Sequence, residues 1–484
     1  MSGRDPKSKK SEELLGTSRD RVPWTLCLDS RAMDRLKAAH ELSTAVREGD
    51  QDWLQDWLDS SIWDGKSLVD FVDAVDTAVY PASLLHKVLE ECPSEFLPSC
   101  LSLLLRHGVD PNLRSTDDSR DTPIHVAARR SQVADICLPM LVRAGADLRQ
   151  RNAAGNSVWH EWVSHTSSNQ TSSEGMHDLT RLFARVLPIQ HCNAANWTPL
   201  HFCSRHAVLA EHLVLAHHAP LHAATITGQT PLHLAARFGS VLTVRVLLQN
   251  GAFCYASDAE GRTPLHEAAI GGFLNLAEIV QLAQQKYGVV NWDVKCRSGT
   301  TVVHNAVVHP SALTVLSHHR APLASTDRQG WTALHYAAWI GNLVTVRALV
   351  AADASLLYMV DKRGRNVLHA AAGGLPYPVT TWLENGRNLA NLRDAWWQAF
   401  EDLDDTPAEE RSERASLSLP TCQPVTTTSV VHKDSIRNVV VYLLSQGVQV
   451  GVMDTQGNYP WAYSEDVATI HILVQAGMQE GLLG

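Results

Sequence analysis

Residues 258–272 read DAEGRTPLHEAAIGG, and the order of small, capping and apolar residues in this stretch decides the fold. Gly261 suits the positive φ of a tight turn, Thr263 is a helix-capping residue, and Pro264 sits where a missing N–H costs nothing. A short helix is therefore predicted from Pro264. About eleven residues after the motif's His, a second apolar pattern, Val-x-x-Leu-Leu-x-x-Gly, predicts a second helix with a Gly C-cap. It is seen in Val244, Leu247, Leu248 and Gly251, and again in Val440, Leu443, Leu444 and Gly447.

The same string recurs along the chain. WTPLH ends at His201, QTPLH at His233, RTPLH at His266 and WTALH at His335, with a looser DTPIH ending at His125. Weaker copies end at His160, His304 and His369. The motif thus returns about every 35 residues, and a fixed period of this length is the mark of a stacked-repeat architecture. Length alone, 484 residues, suggests about three domains. The period replaces that reading with one array in which each repeat buries its apolar face against its neighbours.

These residues resemble the ankyrin repeat, most closely over Trp197 to Gly272. The resemblance implies an all-α ankyrin-repeat solenoid of about 11–12 helix-turn-helix repeats with short β-turn fingers, covering residues 38 to 482. It also implies that His125, His201, His233, His266, His335 and His369 are structural, tying turn to helix by hydrogen bonds. The expected organisation is a disordered tail over 1–36, capping helices over 37–80 and repeats over 81–403, with a Ser/Thr-rich loop at 164–175. An acidic, then Ser/Thr/Pro-rich flexible insertion follows over 404–432, and C-terminal repeats over 433–484. Ala45–Leu58 is read as an opening helix-Gly-helix, and Pro378–Gly386 as the completion of the repeat begun at Asp361. Asn391–Leu403 is read as a first helix whose partner, Val439–Gly447, follows the insertion. Asp353 in place of the second-helix Gly, Trp461 in place of the motif His, and the absence of Thr and Pro from Asn156–His160 predict local irregularity. Trp53, Trp57, Trp396 and Trp397 recur at helical spacing and are assigned to the core, while Ser416, Ser418 and Thr426 are candidate phosphorylation sites.

Composition narrows the function. With 41 Lys+Arg against 51 Asp+Glu the net charge is -10, which argues against binding nucleic acid through its phosphates. The nine Cys are scattered with no C-x-x-C pair, so neither a disulfide framework nor a zinc ribbon is expected, and the compartment reads as reducing. Met1–Arg21 has no apolar core of a secretory signal, and Val439–Met453 is too short to span a bilayer. A cytoplasmic location is expected, with Lys7, Lys9 and Lys10 leaving a nuclear alternative.

No enzyme is expected. HEAAI at His266 lacks the second His of a zinc-protease motif because Ile270 stands there, and no phosphate loop or hydrolase elbow occurs. The His-rich stretch 191–222 places Cys203 and His206 three apart, but His201 already has the motif role, so no metal and no cofactor are assigned.

Recognition in the resembled family lies on the turn tips and the outer side of the first helix. The position before the motif Thr holds Trp197, Arg262, Trp331 and Arg365, and the turn tips add Arg297, Arg328, Lys362 and Arg363. Trp339, after the first helix of the Trp331 repeat, adds apolar surface. Trp and Arg are favoured in binding hot spots, and one-signed clustering steers a partner of opposite sign. The function this implies is a non-catalytic adaptor or scaffold, monomeric alone, that holds a protein with an acidic surface. The alternative is a regulatory or inhibitory subunit of an enzyme complex with the acidic insertion as its control element. On this reading Trp331→Ala with Arg365→Glu abolishes capture without disturbing folding.

Overall fold

The computed structural model describes residues 44–59, 84–115, 117–166, 173–271, 273–373 and 430–482. Helices and turns make up the described residues, and no strand occurs among them. They fall into two compact units, one of residues up to 127 with 139–146 and one of 128–138 with 147 onward. The predicted tail, residues 60–80 of the capping segment, Pro378–Gly386, Asn391–Leu403 and residues 404–429, with Trp396, Trp397 and the candidate phosphorylation sites, lie outside the described residues.

In the first unit the opening element matches its reading. Residues 44–48 are helical, Gly49 turns the chain at φ 70°, and the helix Gln51–Asp59 follows. The helices Leu84–Glu91 and Leu97–Arg106 form the next pair. His86 on the first of these is buried, and its Nε2 bonds to the Asp121 carbonyl at 2.9 Å. It does the work of a motif His, which the sequence reading did not assign to it. The signal was present: His86 stands 39 residues before His125 in the string Ser-Leu-Leu-His. Asn112 is also structural, its amide donating to the Gly145 carbonyl at 2.9 Å.

The second unit shows how one repeat is built and joined to the next. The turn opens with an Asp whose side chain organises it: Asp327 Oδ1 accepts from the backbone N–H of Gln329 and Trp331, each at 2.8 Å. Asp258, Asp361 and Asp454 do the same in their own turns. Gly330 follows at φ 87°, where a side chain would also strike the backbone of the next turn at Lys362 N, 2.9 Å away. Successive fingers then zip together: Ala259 N–H donates to Thr227 O, Arg297 to Glu260 O, Arg328 to Ser298 O and Lys362 to Gln329 O.

First helices preceded by the motif Thr begin with the predicted cap. Thr332 N–H donates to His335 Nδ1 at 3.3 Å, and the pairs Thr198–His201, Thr230–His233, Thr263–His266 and Thr301–His304 repeat this geometry. Because Nδ1 accepts a backbone proton, the ring is neutral and its proton sits on Nε2. That Nε2–H donates to the next repeat: His160 to Trp197 O at 3.0 Å, His201 to Gln229 O at 3.2 Å, His233 to Arg262 O at 3.1 Å and His304 to Trp331 O at 3.0 Å. His266 and His335 face the carbonyls of Thr300 and Arg365 in the same way, with Nε2 outside hydrogen-bond geometry.

Of the predicted irregularities, the one at Asn156–His160 is absent, while Asp353 does depart from the pattern, extended at φ -151° where Gly251 of an earlier repeat has φ 102°. Ser157 substitutes for Thr, capping its helix with Oγ 2.9 Å from His160 Nδ1. Asp353 uses its carboxylate to cap the short 3-10 helix Ala354–Tyr358, which buries Leu356 and Leu357. Trp461, in the 3-10 helix Pro460–Tyr463, stacks on Tyr459 at 4.4 Å.

The pairing at the C-terminal end corrects the sequence reading. The finger at Asp454 joins directly to the finger at Asp361, with Thr455 N–H donating to Arg363 O at 2.8 Å. His369 Nε2 reaches Asn458 O at 3.3 Å, and Asn366 donates to Gln449 O at 2.9 Å. The second helix of the Asp361 repeat is therefore Val430–Ser445, whose Tyr442 ring lies 5.3 Å from the Arg347 guanidinium of the preceding repeat. Residues 374–429 are inserted between the two helices of one repeat, and the boundary drawn at 433 moves to Val430.

Candidate partner-binding edge

The finger edge of the second unit separates the predicted binding residues into two groups. The position before the motif Thr is not a tip. Its side chain lies against the following finger, and no example is exposed: Thr300, Trp331 and Arg365 are buried, while Trp197, Gln229, Arg262 and Asn458 are half-buried.

Trp331 and Arg365 are thereby corrected from binding residues to structural ones. Trp331 is 1% exposed, and its indole N–H donates to Asp361 Oδ2 at 3.0 Å. Arg365 is 3% exposed, grips the same oxygen at 2.7 Å, and lies 5.5 Å from the indole ring. Burial works to raise the Asp361 pKa, but the hydrogen bonds and charge of Arg365 with the Trp331 N–H outweigh it and hold the carboxyl below its ordinary value. A Trp before the motif Thr does have a core to fill, supplied by the next repeat.

Arg262 and Trp197 are intermediate. Arg262 binds Asp258 at 2.9 Å and the fully buried Glu267 at 3.3 Å, while Arg237 reaches Glu267 from the preceding repeat at 3.1 Å. Its charge is spent inside the fold. Trp197 leans on Phe202, with ring centres 5.0 Å apart, and leaves part of the indole exposed.

The true tips sit one or two residues after the turn's first residue, and there the cations are exposed. Arg297, Arg328, Lys362 and Arg363 all point to solvent on three consecutive zipped fingers. Among the described residues none of the four forms an ion pair. Trp339 is half-buried and Ile340 is 40% exposed beyond the first helix of the middle repeat.

The Cys203–His206 pair does not form a ligand set. Cys203 is buried with Sγ 3.6 Å from the Pro199 carbonyl, and burial pushes its thiol far above the ordinary range, which disfavours the thiolate a metal needs.

Family models described as ankyrin repeats match residues 170–258, 200–286 and 309–350. The chain is built of ankyrin repeats. Rabankyrin-5 of Mus musculus is 28% identical over 147 residues, 30% of this chain and 9% of that protein. Ankyrin repeat protein nuc-2 of Neurospora crassa is 28% identical over 346 residues, 68% of this chain and 26% of that protein. The chain thus spans well under a third of the length of either relative. The solved ankyrin repeat domain of Bcl-3, described as a unique member of the IkappaB protein family, aligns with a TM-score of 0.38 at 19% identity, covering 57% of this chain and 98% of that one. Ankyrin repeats generally mediate protein–protein interaction and are non-catalytic. No helix among the described residues is long and apolar enough to cross a membrane.

Proposed function

We propose that this ankyrin array is a non-catalytic adaptor that holds a protein partner against the finger edge at residues 296–365, and that the partner presents an acidic surface. The observation that carries the reading is the row Arg297, Arg328, Lys362 and Arg363, four exposed cations on adjacent fingers of a chain whose net charge is -10. Exposed charges of one sign raise the encounter rate with an opposite partner and select its register. Trp339 and Ile340 supply the apolar contact beside them, with Trp197 at the far end of the same edge.

Arg328→Glu combined with Lys362→Glu and Arg363→Glu is expected to abolish capture of the partner from native cells, read by affinity capture and mass spectrometry. Melting temperature and far-UV circular dichroism should stay at wild-type values, because these side chains are exposed and none forms an ion pair among the described residues. An unchanged set of captured proteins would remove the edge as the binding site. The same partner should also bind less tightly as salt is raised, since the contacts are solvent-screened.

A further inference from the structure

The second helix of the Thr263 repeat outruns its neighbours. Phe273–Tyr287 has 15 residues, against 9 each in Val241–Gln249 before it and Pro310–His318 after it. The excess lies at its C-terminal end: Tyr287 stands 21 residues after the motif His266, whereas Gln249 stands 16 after His233. Between the end of the shorter helix and the last turns of the longer one lies a cavity of 280 Å³. Leu248, Ala252, Cys254, Leu282 and Ala283 give it an apolar lining. Burial pushes the Cys254 thiol up to about 11, so this lining is uncharged at neutral pH.

The mouth supplies a different chemistry. Gln249, Gln285, Lys286 and Tyr287 complete the lining, and all four are exposed. Among the described residues that line the cavity, Lys286 is the one ionised group and none is a carboxylate. Its ammonium lies 5.5 Å from the Tyr287 ring and forms no ion pair among the described residues. An apolar patch adjoins the mouth, with Tyr287 41%, Phe253 46% and Val289 80% exposed. Tyr255 stands between the two rings, its centre 6.1 Å from Phe253 and 5.7 Å from Tyr287, and its hydroxyl accepts from the Asn291 backbone N–H at 3.2 Å. The patch is therefore ordered before anything binds, which lowers the entropic cost of binding.

Size and charge together define the occupant. Small-molecule pockets run to about 300–1,000 Å³, so a cavity below that range suits one inserted side chain, and interface hot spots are anchors of this kind. A lone cation at the mouth complements a carboxylate next to the anchor. We propose that this cavity and its aromatic patch bind a segment of a protein partner that inserts one aliphatic or aromatic side chain and carries an Asp or Glu beside it, the carboxylate meeting Lys286. Gln249 and Gln285 offer their amides to the backbone of the segment. The surface shares no residue with the finger edge and does not depend on that proposal.

The test uses the full chain carrying the three fingertip substitutions, so that the finger edge cannot contribute. A displayed library of random peptides is selected on it, and an enriched peptide is synthesised and its affinity measured by fluorescence anisotropy. Expected is enrichment of an aliphatic or aromatic residue with Asp or Glu next to it. Ala283→Trp, which fills the cavity, should weaken the peptide by about tenfold or more. Lys286→Glu should weaken it to a similar degree and, in a fresh selection, exchange the acidic neighbour for Lys or Arg. Arg185→Glu, an exposed position outside this surface, should change neither. If Ala283→Trp does not fold, Lys286→Glu, at an exposed position, decides the matter by the same readouts. No enriched peptide, enrichment without the acidic neighbour, or an affinity unmoved by either cavity variant overturns the proposal. Self-association of the chain that Ala283→Trp abolishes would put a second copy on this surface and overturn it too.

Discussion

Trp331→Ala combined with Arg365→Glu is expected to unfold the second unit under conditions where the wild type is native, the reverse of what the sequence reading predicts for this pair. Removing a fully buried indole costs about 3–5 kcal/mol, because the cavity adds to the lost transfer energy. Replacing Arg365 by Glu leaves the Asp361 carboxylate buried beside a second negative charge, a loss of about 3–5 kcal/mol for breaking a buried pair. The residues share Asp361, so the two effects do not simply add. Either alone is a large part of the roughly 5–15 kcal/mol that separates a native domain from its unfolded chain. Urea denaturation followed by circular dichroism checks this. The fingertip triple variant should keep the wild-type midpoint, and the Trp331/Arg365 variant should not. A wild-type midpoint in the latter would mean that Trp331, Asp361 and Arg365 do not join the two repeats.

The second large effect is acid lability. Burial holds His160, His201, His266 and His335 at about 4, and lowers His86, His233, His304 and His369 in the same direction. A histidine whose folded pKa is depressed binds protons better when unfolded. Its contribution is fully present above the unfolded value of about 6.5 and is lost as pH falls from there to the folded value. For a residue held at about 4, the loss at pH 5 is about 2 kcal/mol, and several such residues lie in one cooperative stack. Protonation at Nδ1 also removes the acceptor for the Thr N–H at the helix start, so cap and ring are lost together. Stability by urea denaturation should hold between pH 8 and pH 7, then fall steeply through pH 6 to 4.5 with net proton uptake on unfolding. A flat profile across that interval would show that these rings are not held neutral.

The features read correctly from sequence are those whose causes lie within a few residues. Gly261, Thr263, Pro264 and His266 act on one turn and one helix start, and Ser157 satisfies the same cap as Thr. Such signals repeat with the motif and are legible one copy at a time. Position within a copy is less legible. Trp331 and Lys362 both belong to turns, yet one is covered by the next finger and the other projects beyond it. Periodicity does not say which turn residues face a neighbour, because that depends on how the stacked backbones approach.

By itself the sequence determined the repeat, its helical pair, the structural role of the motif histidines and the basic character of the fingertips. Tertiary structure alone decided that Val430–Ser445 completes the repeat begun at Asp361, that Trp331 and Arg365 are interior, and that Cys254 and Ala283 line one cavity. The division has one physical reason. Caps and turns are closed by hydrogen bonds between residues three or four apart, whereas each of these three outcomes depends on groups that are brought together only when one repeat is packed against the next.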